Sequence, residues 1–399
     1  MRTDLPASEG GRPVREAFLP FARPSIGQAE LDAVVETLKS GWLTVGPRTR
    51  EFEKTVAEYI GVPGAAALHS CTAGLHLGMV ALGISEGDEV VLPALNFAAA
   101  ANMIVHLGAR PVLVDIDPET LNADAATMAD AVTERTKLLL PLHFAGRPTD
   151  IDAVIGLARD RSLRVLADGA HAISATIDGK RIGSMADATS FSFYVTKGIT
   201  TGEGGIVTSP DADVTDRIRR LALHGMSSDA WKRYSDRGPW YYEVLEAGYK
   251  YNMNDVQAAL GICQMERVDE FRSSRKAMAA AYAEGFAEDD AVWTPPEFDR
   301  GDHAWHLYTI QIEPDALTIG RDQFIHALLE EGIGVSVHFI PLHYHPYFRE
   351  HLGLEPGSFP VTESYFERAV SLPIYPSMTE NDVSDVVRAV RKLTRHYRR

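Results

Sequence analysis

Apolar positions along the chain fall into three regimes. In the first, Leu31, Val34, Val35 and Leu38 recur at the spacing of one helix face. Ser25 and Gln28 read as a capping box and Gly41 as the stop, so a helix is predicted over 25–41. A second helix opens at Pro47, carries Phe52, Val56 and Tyr59 inward, and ends near Gly61. From about residue 65 short apolar runs at 89–92, 111–114, 137–140, 163–167, 189–193 and 205–208 alternate with helix-like stretches around 73–82, 97–107, 123–134 and 150–160. That rhythm predicts crossover units, hence an α/β fold with a mostly parallel sheet flanked by helices on both faces. Ligands of such sheets sit outside the carboxyl ends of the strands. The third regime begins near 250. It holds a long helical stretch at 255–284, the break Thr294-Pro-Pro-Glu297, strands at 306–312 and 335–339, a helix at 321–331 and a last helix from 379. The reading is a loose tail over 1–20, a large domain over 21–250 and a smaller α+β C-terminal domain over 251–399.

Composition narrows the function classes. Of 399 residues 45% are hydrophobic and 9% aromatic, which excludes a wholly disordered chain. No apolar run reaches the ~18–20 residues of a membrane span, so no membrane partner is expected. The first residues lack the apolar stretch of a secretory signal. With two scattered cysteines, Cys71 and Cys263, the chain reads as cytoplasmic. Net charge is −16, which argues against a nucleic-acid partner. The basic stretch 388–399 reads as a solvated helix end.

Three segments could carry chemistry. Ser70-Cys-Thr-Ala-Gly-Leu75 is a small-residue turn opening a helix, where bare N–H groups would attract an anion. Asp168 closes an apolar strand in Asp168-Gly-Ala-His171, and a carboxylate there wants a cationic partner. Lys197 ends the aromatic run 190–196 and precedes the glycine-rich 202–205; a lysine drawn into low dielectric becomes a usable nucleophile. Taken singly these read as an N-cap, a structural ion pair and an exposed lysine. Taken in order, with Phe97 following a strand, they give an anion cradle, a flat ring, a buried carboxylate and a reactive amine. That set suits pyridoxal 5'-phosphate (PLP) and no metal.

With Ser40–Pro47, Gly87–Pro93, Glu203–Gly205 and Gly248–Met253, these segments make the chain resemble the DegT/StrS family of sugar aminotransferases over about residues 20–395. The segment His303–His306 is of the kind found in UDP-4-amino-4-deoxy-L-arabinose aminotransferases. The resemblance implies the aspartate-aminotransferase-like (fold type I) architecture, PLP as cofactor and a homodimer with shared active sites. It also implies a nucleotide-linked keto-sugar as acceptor and an amino donor such as L-glutamate, as in polysaccharide biosynthesis. Residue by residue, it implies that Lys197 bonds the cofactor aldehyde and shuttles a proton, and that Asp168 faces the pyridine nitrogen. His171 would lie near the ring hydroxyl and Phe97 would stack on the ring. The Cys71 and Thr72 amides and the Ser192 hydroxyl would hold the phosphate, and Lys250 or Asn252 would reach the phosphate of the partner subunit.

The chain departs from the usual pattern at Lys250 and Asn252 in Gly248-Tyr-Lys-Tyr-Asn252, and at Asn96, Gly169 and Gly198. Two rivals are a PLP-dependent sugar dehydratase, whose relatives carry histidine where Lys197 stands, and a non-catalytic PLP-binding regulator. His338, His343 and His345 read as a substrate-side loop rather than a zinc site, since acidic or cysteine ligands are missing nearby. Trp231, Tyr234, Trp240, Tyr241 and Tyr242 read as a stacking surface for a base or as an interface.

Overall fold

The structure is a computed structural model that describes residues 5–227 and 242–399. Trp231, Tyr234, Trp240 and Tyr241 therefore lie outside the described residues, while Tyr242 is exposed.

The central sheet comprises β1 (Gly64–Leu68), β2 (Glu89–Pro93), β3 (Arg110–Val114), β4 (Thr136–Leu139), β5 (Arg164–Asp168), β8 (Ala188–Ser192) and β9 (Gly205–Ser209). A small antiparallel hairpin, β6 (Thr176–Ile177) and β7 (Lys180–Arg181), lies between β5 and β8 in the chain. The order across the sheet is β1-β9-β8-β5-β4-β2-β3. Only β9 runs against the others, pairing antiparallel with both β1 and β8. The strands read as apolar runs because both faces are covered. On β5, Val165 and Ala167 join one core while Leu166 joins the core on the opposite face. On β2, Val91 and its neighbours Val90 and Leu92 divide in the same way.

The crossovers are α3 (Cys71–Ala81), α4 (Ala98–His106), α5 (Ala125–Asp130), α6 (Ile151–Asp160) and, after β9, α7 (Ala212–Leu221). α1 (Gln28–Ser40) and α2 (Pro47–Ile60) precede the sheet and pack on α8 (Asp255–Glu266). α9 (Val268–Phe286) follows. The second sheet is antiparallel, ordered β10 (Val292–Trp293), β11 (Tyr308–Ile312), β12 (Ala369–Leu372). Helices α10 (Arg321–Glu330), α11 (Pro346–Leu352), α12 (Pro360–Arg368) and α13 (Glu380–His396) complete the fold. Tyr282, Phe286, Tyr308, Phe324, Val386 and Val390 centre its separate apolar core. Among the described residues no helix is long and apolar enough to cross a membrane.

Four expectations need correction. Ser25 and Gln28 do not cap α1: Gly27 is its N-cap, and Glu30 turns back to accept the Gly27 N–H at 2.8 Å. The helix expected over 123–134 is one short helix, α5, ended by the turn at Ala131 and Val132. The stretch 255–284 is two helices, interrupted at Arg267, which has φ −109° and ψ 5°. Residues 335–339 form no strand: this segment makes single bridges through Ser336, and its next side chains turn toward the site described below.

Two helix N-termini are capped by remote aspartates. Asp115, just past β3, accepts the N–H groups of Val361 (2.9 Å) and Thr362 (2.8 Å) and the Thr362 hydroxyl (2.7 Å) at the start of α12. Buried Asp255 does the same for α2, accepting from Arg48 N–H (3.1 Å), Thr49 N–H (2.9 Å) and the Thr49 hydroxyl (2.6 Å). Each satisfies otherwise orphaned donors and complements the helix dipole. Replacing Asp115 by Ala strands three donors at once, so Asp115→Ala is expected to lower the unfolding free energy by ~2–4 kcal/mol, read by urea denaturation. A change under ~0.5 kcal/mol would show that water replaces the cap.

Candidate active site

α3 lies unusually close to the sheet. A Cβ on Gly74 would strike the Ser190 hydroxyl, and one on Gly78 would meet Leu166 at 3.0 Å. Glycine at both positions lets the helix settle onto β5 and β8 and fixes where its N-terminus points. Ser70 caps it, accepting the Ala73 N–H at 3.1 Å. The N–H groups of Cys71 and Thr72 come before the first intrahelical bond, and among the described residues nothing accepts from them. A side chain on Gly205 would run into the backbone of Ser70 and Cys71. The helix start is thus a bare cradle at the carboxyl end of the sheet.

Asp168 is the last residue of β5. Its backbone is fixed on one side by its N–H to the Pro141 carbonyl (2.8 Å) and its own carbonyl accepting from His143 (3.1 Å). Its carboxylate accepts the Ala170 N–H at 3.0 Å and is otherwise buried. A Cβ on Gly169 would sit 2.8 Å from the Phe191 ring, which accounts for glycine in that place. Lys197 leaves β8 through a turn closed by its N–H to the Tyr194 carbonyl (2.9 Å). Its amine meets His306 Nε2 at 3.4 Å. Among the described residues Lys197 and Asp168 form no ion pair, although each feels the other's charge. Asp168 ends β5, and Lys197 follows the carboxyl end of the adjacent parallel strand β8.

Electrostatics follow from burial. Loss of water pushes the Asp168 carboxyl up to about 6, against the opposing pull of the Ala170 N–H and the Lys197 charge. Loss of water draws the Lys197 amine down to about 8, and Asp168 and Cys71 restrain that fall. Relative to an exposed lysine, the neutral amine is enriched roughly 10²–10³-fold at pH 7. His171 and His306 are held neutral, well below the ordinary imidazole value, by burial first and by Lys197 next. His338 is drawn down to about 4 for the same two reasons. Burial pushes the Cys71 thiol far up, so it is no nucleophile; its Sγ lies 3.2 Å from the Ser190 hydroxyl.

Around this pair stand rings. His171 accepts the Ala145 N–H at Nδ1 (3.2 Å), which assigns its proton to Nε2. Its ring lies 4.4 Å from that of His306 and stacks on Phe339 at 5.9 Å between centroids. Phe97, at the N-cap of α4, is exposed and lies 5.9 Å from Phe339. Ser192 ends β8, and its hydroxyl weakly accepts the Tyr194 N–H at 3.4 Å.

Lys250 and Asn252 lie apart from the amine. Asn252 bridges Leu68 at the end of β1, and exposed Lys250 donates to the Asn252 amide oxygen at 2.5 Å. His343 pairs with Glu363 at 2.8 Å and His338 with the Ser371 hydroxyl at 2.9 Å, so the three histidines of that loop do not converge.

Reasoning from the sequence gave no role to His306, Phe339 or Arg275. His306 had a signal, since His303–His306 was one of the segments carrying the resemblance; the other two had none.

The architecture matches known proteins. The description DegT/DnrJ/EryC1/StrS aminotransferase family fits residues 24–391. The Methanocaldococcus jannaschii protein MJ1066 is 50% identical over 95% of this chain and 98% of its own. The Bacillus subtilis spore coat polysaccharide biosynthesis protein SpsC is 47% identical over 96% and 98%. The PLP form of Spr1654 from Streptococcus pneumoniae superposes with TM-score 0.88 at 31% identity, covering 95% and 99%. DesI, solved in the presence of its TDP-sugar product, does so with TM-score 0.87 at 32% identity, covering 99% and 97%. The chain belongs to the DegT/DnrJ/EryC1/StrS aminotransferase family, and its fold is that of the PLP-dependent aminotransferases.

The buried pair makes the cofactor-free protein sensitive to pH in two windows. Asp168 binds its proton more tightly folded than unfolded, so its contribution to stability is lost as pH rises from about 4 to 6. Lys197 binds its proton less tightly folded, so stability recovers as pH rises from about 8 toward 10.5. Melting curves of cofactor-free protein should show the first slope flattened in Asp168→Asn and the second in Lys197→Met. Parallel curves for wild type and variants would mean the pair is solvated.

Proposed function

We propose that this chain is a PLP-dependent aminotransferase that moves an amino group from L-glutamate to a keto group of a nucleotide-linked deoxysugar. The observation that carries the reading is the unjoined pair of half-buried Lys197 and buried Asp168 beside the bare start of α3. A flat, charged ring with a phosphate arm fits there: its nitrogen against Asp168, its aldehyde against Lys197 and its phosphate on the Cys71 and Thr72 N–H groups and the Ser192 hydroxyl. The exposed face of Phe97 supplies a stacking surface, and His171, neutral with its Nε2–H free to donate, suits the ring hydroxyl.

PLP, when bound, draws electrons away from the carbon that carries the nitrogen, making its proton removable. The chain's own residues do the rest. Asp168, ionised above about 6, holds a proton on the ring nitrogen. Lys197 would hold the cofactor through its amine, and the same amine would remove the proton from the donor carbon and return one to the sugar carbon. A neutral amine is required for the first of these duties, and burial supplies it. His306 at 3.4 Å limits where the amine can go. Apolar walls from Phe339 and Phe144 help keep water from the amine.

We further propose that two copies share their active sites, with exposed Lys250 and Asn252 reaching across to the phosphate of the partner subunit, and that the enzyme works in the cytoplasm.

Lys197→Ala should abolish turnover and the visible absorbance of bound cofactor; near-normal turnover in that variant would refute the assignment. Incubating the purified enzyme with L-glutamate and a panel of nucleotide keto-sugars should yield one sugar whose keto oxygen is exchanged for an amino group, read by mass spectrometry. A visible band that no amino donor bleaches would instead favour a cofactor-binding protein without turnover.

A further inference from the structure

Arg275 is a buried charge held only by backbone carbonyls. It lies on α9, is 4% exposed, and among the described residues has no carboxylate partner. Nη1 donates to the Gly198 carbonyl at 3.2 Å and Nη2 to the Lys197 carbonyl at 3.4 Å, while Nε is buried with no partner. Burial lowers its proton affinity to about 10, so it remains a cation. Burying an unpaired guanidinium is costlier than burying a neutral chain of the same length. The charge sits against the one peptide that carries the reacting amine.

That peptide needs a restraint. Gly198 follows Lys197 directly, and glycine leaves the backbone free to rotate on that side. The turn from Tyr194 to Lys197 is closed on the other side by a single backbone bond. A guanidinium fork gripping two consecutive carbonyls fixes the plane from which the lysine side chain departs, which a point-charge ammonium cannot do. The space beside Arg275 is a void of about 10 Å³ lined by Arg23, Ser25, Thr196, Gln264 and Tyr375.

We propose that Arg275 is a positioning residue for the transamination reaction, clamping the Lys197–Gly198 carbonyls so that the lysine amine is aimed at the reacting carbon. The proposal rests on Lys197 being the reacting amine. Its charge has a second effect through space, helping to keep His306 neutral beside that amine.

The test compares wild-type holoenzyme with Arg275→Met and Arg275→Lys. Four quantities are read: kcat, donor KM, borohydride-trapped cofactor on the Lys197 peptide by mass spectrometry, and the melting midpoint of the cofactor-free protein. Arg275→Met is expected to lose 10–100-fold in kcat. Its donor KM should stay within about twofold, its Lys197 label should be trapped more slowly, and its cofactor-free midpoint should equal or exceed wild type. Arg275→Lys should fall between the two. A lowered midpoint with unchanged kcat would make Arg275 a structural residue and overturn the proposal. A raised donor KM with unchanged kcat would overturn it in favour of substrate binding. Should the methionine variant fail to fold, unchanged kcat in Arg275→Lys overturns it and a reduced kcat at wild-type midpoint supports it. If wild type itself is labelled elsewhere than Lys197, the functional reading falls and this one with it. If wild type is labelled at Lys197 and Arg275→Met is labelled equally fast, only the clamp falls.

Discussion

The fold is organised around an amine and a carboxylate that are buried together without touching. Bringing Lys197 and Asp168 out of water and leaving them unpaired costs folding energy on both sides, which their displaced proton affinities express. A direct ion pair would relieve that cost and also end the chemistry, because a satisfied ammonium is neither a nucleophile nor a base. The rest of the architecture holds the two apart. β5 ends at the aspartate, and β8 ends five residues before the lysine, with β5 and β8 adjacent and parallel so that both termini open on one sheet edge.

The imidazoles around the amine add no positive charge of their own. His171, His306 and His338 are all neutral, and each is so partly because Lys197 repels a second positive charge. No carboxylate other than Asp168 affects the amine strongly, although the chain as a whole carries 55 acidic residues against 39 basic ones. The acidity is therefore placed elsewhere, where it caps helices, as at Asp115 and Asp255, or pairs with surface arginines. A second acid near the amine would raise its proton affinity further.

What was legible in the sequence is what is local. The alternation of short apolar runs with helical stretches foretold the sheet because two-sided burial imposes apolar runs directly. Asp168 and Lys197 stood out because each follows such a run, at the strand ends where α/β sheets do their chemistry. The start of α3 was visible through its small residues. What was not legible depends on contacts between distant segments. Asp115 caps a helix 246 residues away, and nothing in its surroundings marks it as a cap. Residues 335–339 alternate like a strand yet turn His338 and Phe339 toward the site, since the sheet beside them is complete without them. The pause at Arg267 inside an otherwise continuous helical pattern lacks the proline or glycine that would announce it.

The division of labour between the two sheets follows from the same distinction. The central sheet supplies the groups whose relative position must be fixed to a fraction of an ångström, and it does so with parallel strands whose ends are set by backbone ladders and by α3 seated on glycines. The later segments supply His306, His338 and Phe339, which surround the amine from loops outside the ladders. Loops tolerate change where strands do not. Substitution in these loops can therefore change what surrounds the amine while the amine, the carboxylate and the helix start stay in register. The two parts meet at several points: Lys197 with His306, His171 with His306 and Phe339, and Phe97 with Phe339.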